Sequence, residues 1–539
     1  LDPALEGPLD PQPLEQQVNE SIGSPQETSA AFERDIASLT VAQLQAVEAD
    51  SRALCIIAGA GSGKTRVLTL RAARRIRDGT AESDHTVICT FTRKAAYELR
   101  QRLRHYGVTV STPATAANAP TPGVRSGTLH QLALTLLRRN AIDSGRPVPT
   151  VAEHRYRMLS TISGDSTIAS ALDVEIGWAK ANCLTPLSYG DAAAAVGRPA
   201  VLSVDQVVDA FEEYEASLRR KGMLDLDDVL LRSADLIHQH NEFAERVRWR
   251  YRHLSVDEFQ DVNPAQFRLI LALSGNEQDL CVVGDPNQAI YGWNGADPEL
   301  LNRLDQCVEG LAIVRLDENH RSSPQIVAAA SAALGTVAAV PPRSKAADGP
   351  MPVVTAYDDD TAEAEGVAAL LAQRSAEGMK WSDQAVLART NDQLSVVRGA
   401  LGRAGIPCKM APGPEAGPPK GRSDDDAVEL ATFHRAKGLE WASVAVVGLE
   451  DGYVPIIYAE SQSARAEERR LLYVALTRAS QDLHCSWVRV RTMGRGQKVE
   501  RQPSPWLASI ARVSRTGSSR LLPVDTGRRI AAMRAHLDN

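Results

Sequence analysis

Ala58-Gly59-Ala60-Gly61-Ser62-Gly63-Lys64-Thr65, the octapeptide AGAGSGKT, decides how this chain is read. It follows an apolar run from Ala53 to Ala58 and opens a helical pattern from about Lys64 to Arg77. A strand, a glycine-rich turn and a helix in that order are the context a phosphate-binding P-loop requires. The glycines let backbone N–H groups wrap a phosphate, and the helix N-terminus adds its dipole. Lys64 is expected to neutralise β- and γ-phosphate charge, and Thr65 to offer its hydroxyl to Mg2+. Ala58 stands where the strict pattern has Gly.

Working outward, Thr86 to Thr90 reads as a second strand and Lys94 to Tyr106 as a second helix. Strands return at His253 to Val256 and Leu280 to Val283. This alternation predicts an α/β fold with a parallel sheet under covering helices. Val256-Asp257-Glu258 ends one of those strands. Asp257 suits the second metal partner of a P-loop NTPase, and Glu258 can position and deprotonate the attacking water. Acid pairs at strand ends are common by chance; beside a P-loop they specify a nucleotide hydrolase.

The stretch 126–250 reads mainly as helices, with Val208, Phe211, Tyr214 and Leu218 on one face of Val207 to Lys221. The second half repeats the α/β style, with strands expected at Val353 to Tyr357, Gln384 to Ala388, Val428 to Thr432 and Ser443 to Val447. Residues 411–426, APGPEAGPPKGRSDDD, read as a linker.

The 539 residues are enough for roughly three to four structural units. Net charge is −7, which looks wrong for a nucleic-acid binder. Residues 1–50, however, hold ten acids and the lone base Arg34, so the remainder carries a slight positive excess. Residues 1 to about 36, rich in Pro, Glu, Gln and Ser, are expected to be disordered, a solvated tail or a cover for a basic groove. The seven cysteines show no CxxC spacing, which fits a reducing cytoplasm and gives no zinc motif. The first residues are acidic and proline-rich, so no signal peptide is expected, and no apolar run is long enough to cross a membrane.

The order of motifs resembles the UvrD/Rep/PcrA-type superfamily 1 DNA helicases from residue 39 to about 510. Leu39-Thr40-Val41-Ala42-Gln43 resembles their Q motif, and the P-loop through Arg66 their motif I. Thr90 to Ala96 resembles motif Ia, and Gly127 to His130 motif Ib. Asp257-Glu258-Phe259-Gln260-Asp261 is similar to motif II, and Gly284 to Gln288 with Tyr291-Gly292-Trp293 to motif III. Glu318 to Ser322 resembles motif IV, Thr432 to Glu440 motif V, and Glu468 to Ala479 motif VI.

The resemblance implies two RecA-like cores that hydrolyse ATP with Mg2+ while moving 3′ to 5′ along single-stranded DNA, including at single/double-strand junctions in repair or recombination. It implies that Gln43 bonds the adenine edge, Arg66 packs on its face and Glu440 contacts the ribose. Gln288 would sense the γ-phosphate; Arg321 and Arg478 would act on it as arginine fingers. Phe91, Tyr291 and Trp293 would stack bases, while Thr92, His130, Thr432 and His434 would bond the DNA backbone. A core role remains the alternative for Phe91 and Trp293, and an ordinary loop or core role for His130 and His434.

Three departures stand out. His320 occupies the usual adenine-stacking Tyr position of motif IV, and Asn294 follows Trp293 where Arg is usual. The large helical 2B insertion of the family has no counterpart except the linker. The expected organisation is therefore an acidic tail (1–36), a first core (37–96 and 223–311) with a helical 1B insertion (97–222), a second core (312–410 and 427–510) split by the linker (411–426), and an Arg-rich tail (511–539). Tyr458, between Pro455 and Arg465, is a candidate tip for a strand-separation hairpin. A protein partner replacing the 2B region is a candidate; a DNA-stimulated ATPase subunit that regulates a separate nuclease or repair partner, with little unwinding of its own, is the competing reading, and an RNA remodelling enzyme is the third.

Overall fold

A computed structural model describes residues 24–111, 121–152, 154–198, 201–275, 279–335, 342–411, 426–493 and 496–516. Most of the expected linker, residues 1–23 of the acidic tail and 517–539 of the Arg-rich tail lie outside the described residues.

The first sheet contains β1 (Ala53–Ala58), β2 (Thr86–Thr90), β3 (Arg125–Thr128), β4 (His253–Val256), β5 (Asp279–Gly284) and β6 (Ala312–Leu316), ordered β3-β2-β4-β5-β1-β6. All its pairings are parallel. Helices cover both faces, so β1 and β2 are near-continuous apolar runs rather than alternating ones. The carboxyl ends of β1, β4 and β5 run into the P-loop, Asp257 and Asp285, the end of a parallel sheet where ligands bind.

The second sheet contains β7 (Val353–Asp359), β8 (Gln384–Ala388), β9 (Cys408–Met410), β10 (Val428–Thr432), β11 (Trp441–Val446), β12 (Ala479–Thr492), β13 (Lys498–Glu500) and β14 (Arg515–Thr516). Its order is β9-β10-β8-β11-β12-β7-β14, with β13 antiparallel to β12.

Three boundaries differ from the sequence reading. Residues 25–36 are not a disordered tail. They form the Pro25–Ala37 helix, opened by a capping box in which Ser24 and Glu27 exchange hydrogen bonds and closed onto the first core by Ala31 and Phe32. The helical insertion does not begin at 97. Leu99 and Leu103 pack into the first core, and β3 and the Leu129–Asp143 helix also belong to it. Among the described residues, helices Arg155–Ser163, Ser166–Ala181, Pro186–Ala195 and Val204–Lys221 share a separate core, around Leu159, Ile176, Phe211 and Tyr214. Finally, 312–316 is β6 of the first sheet, not part of the second core; the crossing follows it, and the Pro324–Leu334 helix packs in the second core. Helical periodicity reports that one face is buried, not which core buries it.

Candidate functional site

The P-loop is shaped by two left-handed residues, Gly61 (φ 71°) and Gly63 (φ 82°). A Cβ on Gly61 would lie 2.7 Å from Asn319 Oδ1, so glycine is required there for both backbone and space. Gly63 caps the Lys64–Arg77 helix without a side-chain bond, leaving that N-terminus open to an anion. The Lys64 ammonium is buried and has no hydrogen-bond partner among the described residues; Glu258 Oε2 is 3.8 Å away. An ammonium carries three donors, and leaving them unmade in a buried place is costly. A phosphate would satisfy them.

Thr65 Oγ1 donates to Asp257 Oδ2 at 3.3 Å. A hydroxyl beside a carboxylate is a hard-oxygen set that suits Mg2+. Burial and the charge of Glu258 raise the Asp257 pKa. Burial also opposes ionisation of Glu258, but Lys64, Lys437 and the Gln260 amide outweigh it and lower its pKa. Glu258 is a non-glycine residue in the left-handed region (φ 54°), a strained conformation of the kind that clusters at working sites. Gln260 Oε1 accepts from the Asp285 N–H at 2.9 Å, and Gln288 Nε2 donates to Asp285 Oδ2 at 2.6 Å, tying the ends of β4 and β5 together.

The crossing segment between the cores lies against this loop. Asn319 Nδ2 donates to Ala60 O and the His320 N–H to Gly61 O, each at 2.8 Å. Arg321 pairs with Glu440 at 2.6 Å. Arg478 is buried, donating to the carbonyls of Val474 (3.0 Å) and Leu439 (3.2 Å). Burial and the neighbouring Arg321 charge pull its pKa down to about 9. Lys64 is thus a buried cation whose donors are unmade although Glu258 is 3.8 Å away, and Arg478 is a buried cation with the like charge of Arg321 beside it.

At the other side of the loop, Gln43 Oε1 accepts from the Thr40 N–H (3.0 Å) and Nε2 donates to Ser62 O (2.9 Å), so its amide braces the P-loop. Arg66 is held by Asp35 and Ser38. The His320 ring is exposed, 4.0 Å from Glu318.

The candidate DNA residues fall in two groups. Tyr291, Trp293 and His434 come together: the Tyr291 ring lies 6.4 Å from Trp293 and 6.5 Å from His434. Trp293 is 54% exposed, against its core alternative. Thr432 is near, and accepts from the Arg435 N–H at 3.4 Å. Phe91, Thr92 and His130 follow the paired ends of β2 and β3. Phe91 packs partly on the first core, while the Thr92 hydroxyl caps the Arg93–His105 helix by accepting from Ala95 N at 3.1 Å. Burial pulls His130 and His434 down to about 4, so both are neutral at pH 7. Tyr458 stands 79% exposed beside Ile457, on a loop whose base is fixed by buried Glu450 and Arg491.

Lys437 is a residue whose part could not be read from the sequence. It pairs with Asp261, donates to Gln288 O at 2.8 Å and sits 5.0 Å from the Tyr291 ring centroid. Glu467 and Arg470 likewise bond backbone across the cleft, at Gly292 (3.1 Å) and Ala289 (2.7 Å). All three stand in or beside quoted motifs, but their partners are far away in the chain.

A family model described as the UvrD/REP helicase N-terminal domain matches residues 39–309. One described as the UvrD-like helicase C-terminal domain matches 314–413 and 416–490. Among curated proteins, the chain is similar to ATP-dependent DNA helicase UvrD2 of Mycobacterium tuberculosis H37Rv, 33% identical over 592 residues that cover 90% of this chain and 83% of that one. It is 30% identical to PcrA of Leuconostoc citreum, covering 69% of this chain and 49% of that one, and to Rep of Escherichia coli K12, covering 70% and 55%.

Proposed function

We propose that this chain, which belongs to the UvrD/Rep-type superfamily 1 helicases and is an ATP-dependent DNA helicase by family, is a compact motor that translocates 3′ to 5′ on single-stranded DNA. The observation that carries the reading is Lys64: a buried ammonium without a hydrogen-bond partner among the described residues, at a helix N-terminus with no side-chain cap, beside Glu258, whose charge also acts on Arg478. ATP phosphates would supply the acceptors that this ammonium lacks. Thr65 and Asp257 would hold Mg2+, which supplies charge neutralisation at the β- and γ-phosphates. Glu258 takes the proton of the attacking water, and Gln288 reads the γ-phosphate. Arg321 and Arg478 stabilise charge in the transition state; the Arg321–Glu440 pair must open for Arg321 to do so. Gln43, Arg66 and His320 line the base end, with Glu440 towards the ribose. Phe91, Tyr291 and Trp293 stack bases, and Thr92, His130, Thr432 and His434 bond the strand's backbone. Lys437 links the two events, since it touches motif II, motif III and the Tyr291 ring.

The similarity to UvrD2 spans 592 aligned positions, more than the 539 residues of this chain, and the C-terminal family match is interrupted between 413 and 416. Both support a short linker in place of a 2B insertion. Each base-pair step costs ~0.6–2.2 kcal/mol of stacking to open, so a motor without its duplex grip steps well and separates poorly. A protein partner in repair or recombination would supply the grip. Translocation, read by fluorophore release from a single strand, and unwinding of a tailed duplex are measured on one preparation. Fast translocation with slow unwinding is expected; unwinding by the isolated monomer at its translocation rate removes the need for a partner. ATPase stimulated by RNA rather than DNA would defeat the motor assignment itself.

A further inference from the structure

The Pro25–Ala37 helix lies before residue 39, where the family match begins, yet it bonds Arg66 of the helix that follows the P-loop. Its packing is specific. Phe32 meets the Tyr106 ring edge-on at 6.0 Å, and the Arg77 guanidinium lies 4.1 Å over the Phe32 ring. At its last turn Asp35 faces two ways. Oδ2 accepts from the Tyr106 hydroxyl at 2.7 Å, while Oδ1 (3.2 Å) and the Asp35 carbonyl (3.0 Å) accept from Arg66 Nη2. Ser38 Oγ accepts from the same nitrogen. A helix C-terminus attracts cations, so the carboxylate and the dipole act in one direction.

Arg66 is two residues after Lys64 in the P-loop helix, and its side chain stays about a third exposed. One edge of the guanidinium is committed to Asp35 and Ser38. The same stretch leads through Thr40 to Gln43, which braces Ser62 of the loop. The helix therefore fixes one edge of the Arg66 guanidinium, and Tyr106 fixes Asp35.

We propose that Asp35 is a positioning residue for ATP: pinned by Tyr106, it fixes the Arg66 guanidinium as a ready face for the base. This rests on the nucleotide site proposed above. A guanidinium fixed before ligand arrives loses less freedom on binding, which raises affinity without touching the chemical step. The residues that do chemistry, Lys64 and Glu258, make no contact with Asp35 in this arrangement.

The test is steady-state ATPase of the full chain at saturating single-stranded DNA. Variants are Asp35→Ala, Tyr106→Phe, Arg66→Ala and the Asp35→Ala/Arg66→Ala pair. Asp35→Ala is expected to raise the KM for ATP roughly threefold to tenfold with a much smaller change in kcat, the size of one or two charge-assisted bonds at a partly exposed arginine. Tyr106→Phe gives a smaller rise. In the Arg66→Ala background Asp35→Ala adds nothing further, because the two act as one unit. Inhibition by inorganic tripolyphosphate, which has no base, keeps its wild-type constant. A normal KM in Asp35→Ala beside a raised one in Arg66→Ala overturns the role of Asp35 and leaves the nucleotide site standing. Additive effects, or an equal loss of tripolyphosphate binding, also overturn it. A normal KM in Arg66→Ala removes both Arg66 and Asp35 from the base end, while Lys64→Ala separately tests the phosphate end. Should Asp35→Ala melt early, Tyr106→Phe and Asp35→Asn carry the same comparison.

Discussion

Strands β1 and β7 occupy the same place in their sheets: β1 lies between β5 and β6, and β7 between β12 and β14. Each feeds a helix, Lys64–Arg77 in the first core and Asp360–Ala376 in the second. The first helix starts at a glycine with no side-chain cap. The second starts at Asp359, whose carboxylate accepts from Ala362 N at 2.9 Å, and its first turn holds Asp360 and Glu363, both buried. Those acids are committed: Asp360 accepts from the Thr492 N–H (3.1 Å), and Glu363 from Gly448 N (3.0 Å) and Arg491 (2.9 Å). One helix N-terminus is open to an anion; its counterpart is closed by its own carboxylates. A shared architecture does not confer a shared site, and a few residues at one helix end decide the difference.

The strongest test of that contrast is at the open end. Lys64→Ala and Glu258→Gln should each abolish measurable hydrolysis, but only Lys64→Ala should weaken ATP binding, because only it removes a phosphate contact. Equilibrium binding of a fluorescent ATP analogue separates them; equal affinity losses would sink both assignments. Next in size, the second core and the crossing that leads into it should contribute through arginines rather than through a phosphate loop. Arg321→Ala and Arg478→Ala are expected to cut turnover by ~10³-fold while ATP binding persists. Near-normal DNA-stimulated ATPase in either variant takes that residue out of the site.

A smaller effect is expected where the cores meet the strand. Trp293→Ala should weaken single-strand binding by ~1–3 kcal/mol with little sequence dependence. Normal binding in a variant that melts early would return Trp293 to the core. The smallest effect belongs to the closed end: Asp359→Ala should cost ~1 kcal/mol of stability, a lost N-cap, and leave the KM for ATP unchanged. An altered KM would mean that the second helix also serves nucleotide.

Near the P-loop the sequence was legible almost to the residue. Ala53–Ala58 and Lys64–Arg77 match their expected bounds because apolar runs and glycine punctuation coincide there. The misses have physical causes. β3, Arg-Ser-Gly-Thr, has no apolar run to announce it, and its residues are only half-buried. The Pro25–Ala37 helix is held by a short apolar patch and a few polar contacts, although its Ser-Pro-Gln-Glu start carried a readable capping signal. Cross-core partners were out of reach altogether. Lys437 and Asp261 are 176 residues apart, and residue spacing says which face is buried, never against what.

The path from the first core to the second gives the molecule a gearing. The chain leaves β6 at Leu316 and runs over the P-loop, bonded to Ala60 and Gly61 through Asn319 and His320. It enters the second core at Ser322 and Ser323, whose hydroxyl and N–H bond the carbonyls of Ala479 (2.7 Å) and Ser480 (2.9 Å). The axle on which one core would turn against the other therefore rests on the loop built for phosphate. Arg321 stands on that crossing, paired with Glu440, so a turn about it would act at the phosphate site directly. Such a turn would be felt at the strand through Lys437, which touches Asp261, Gln288 and the Tyr291 ring, and a slack tether in place of residues 317–323 would disengage the two sites while leaving both cores folded.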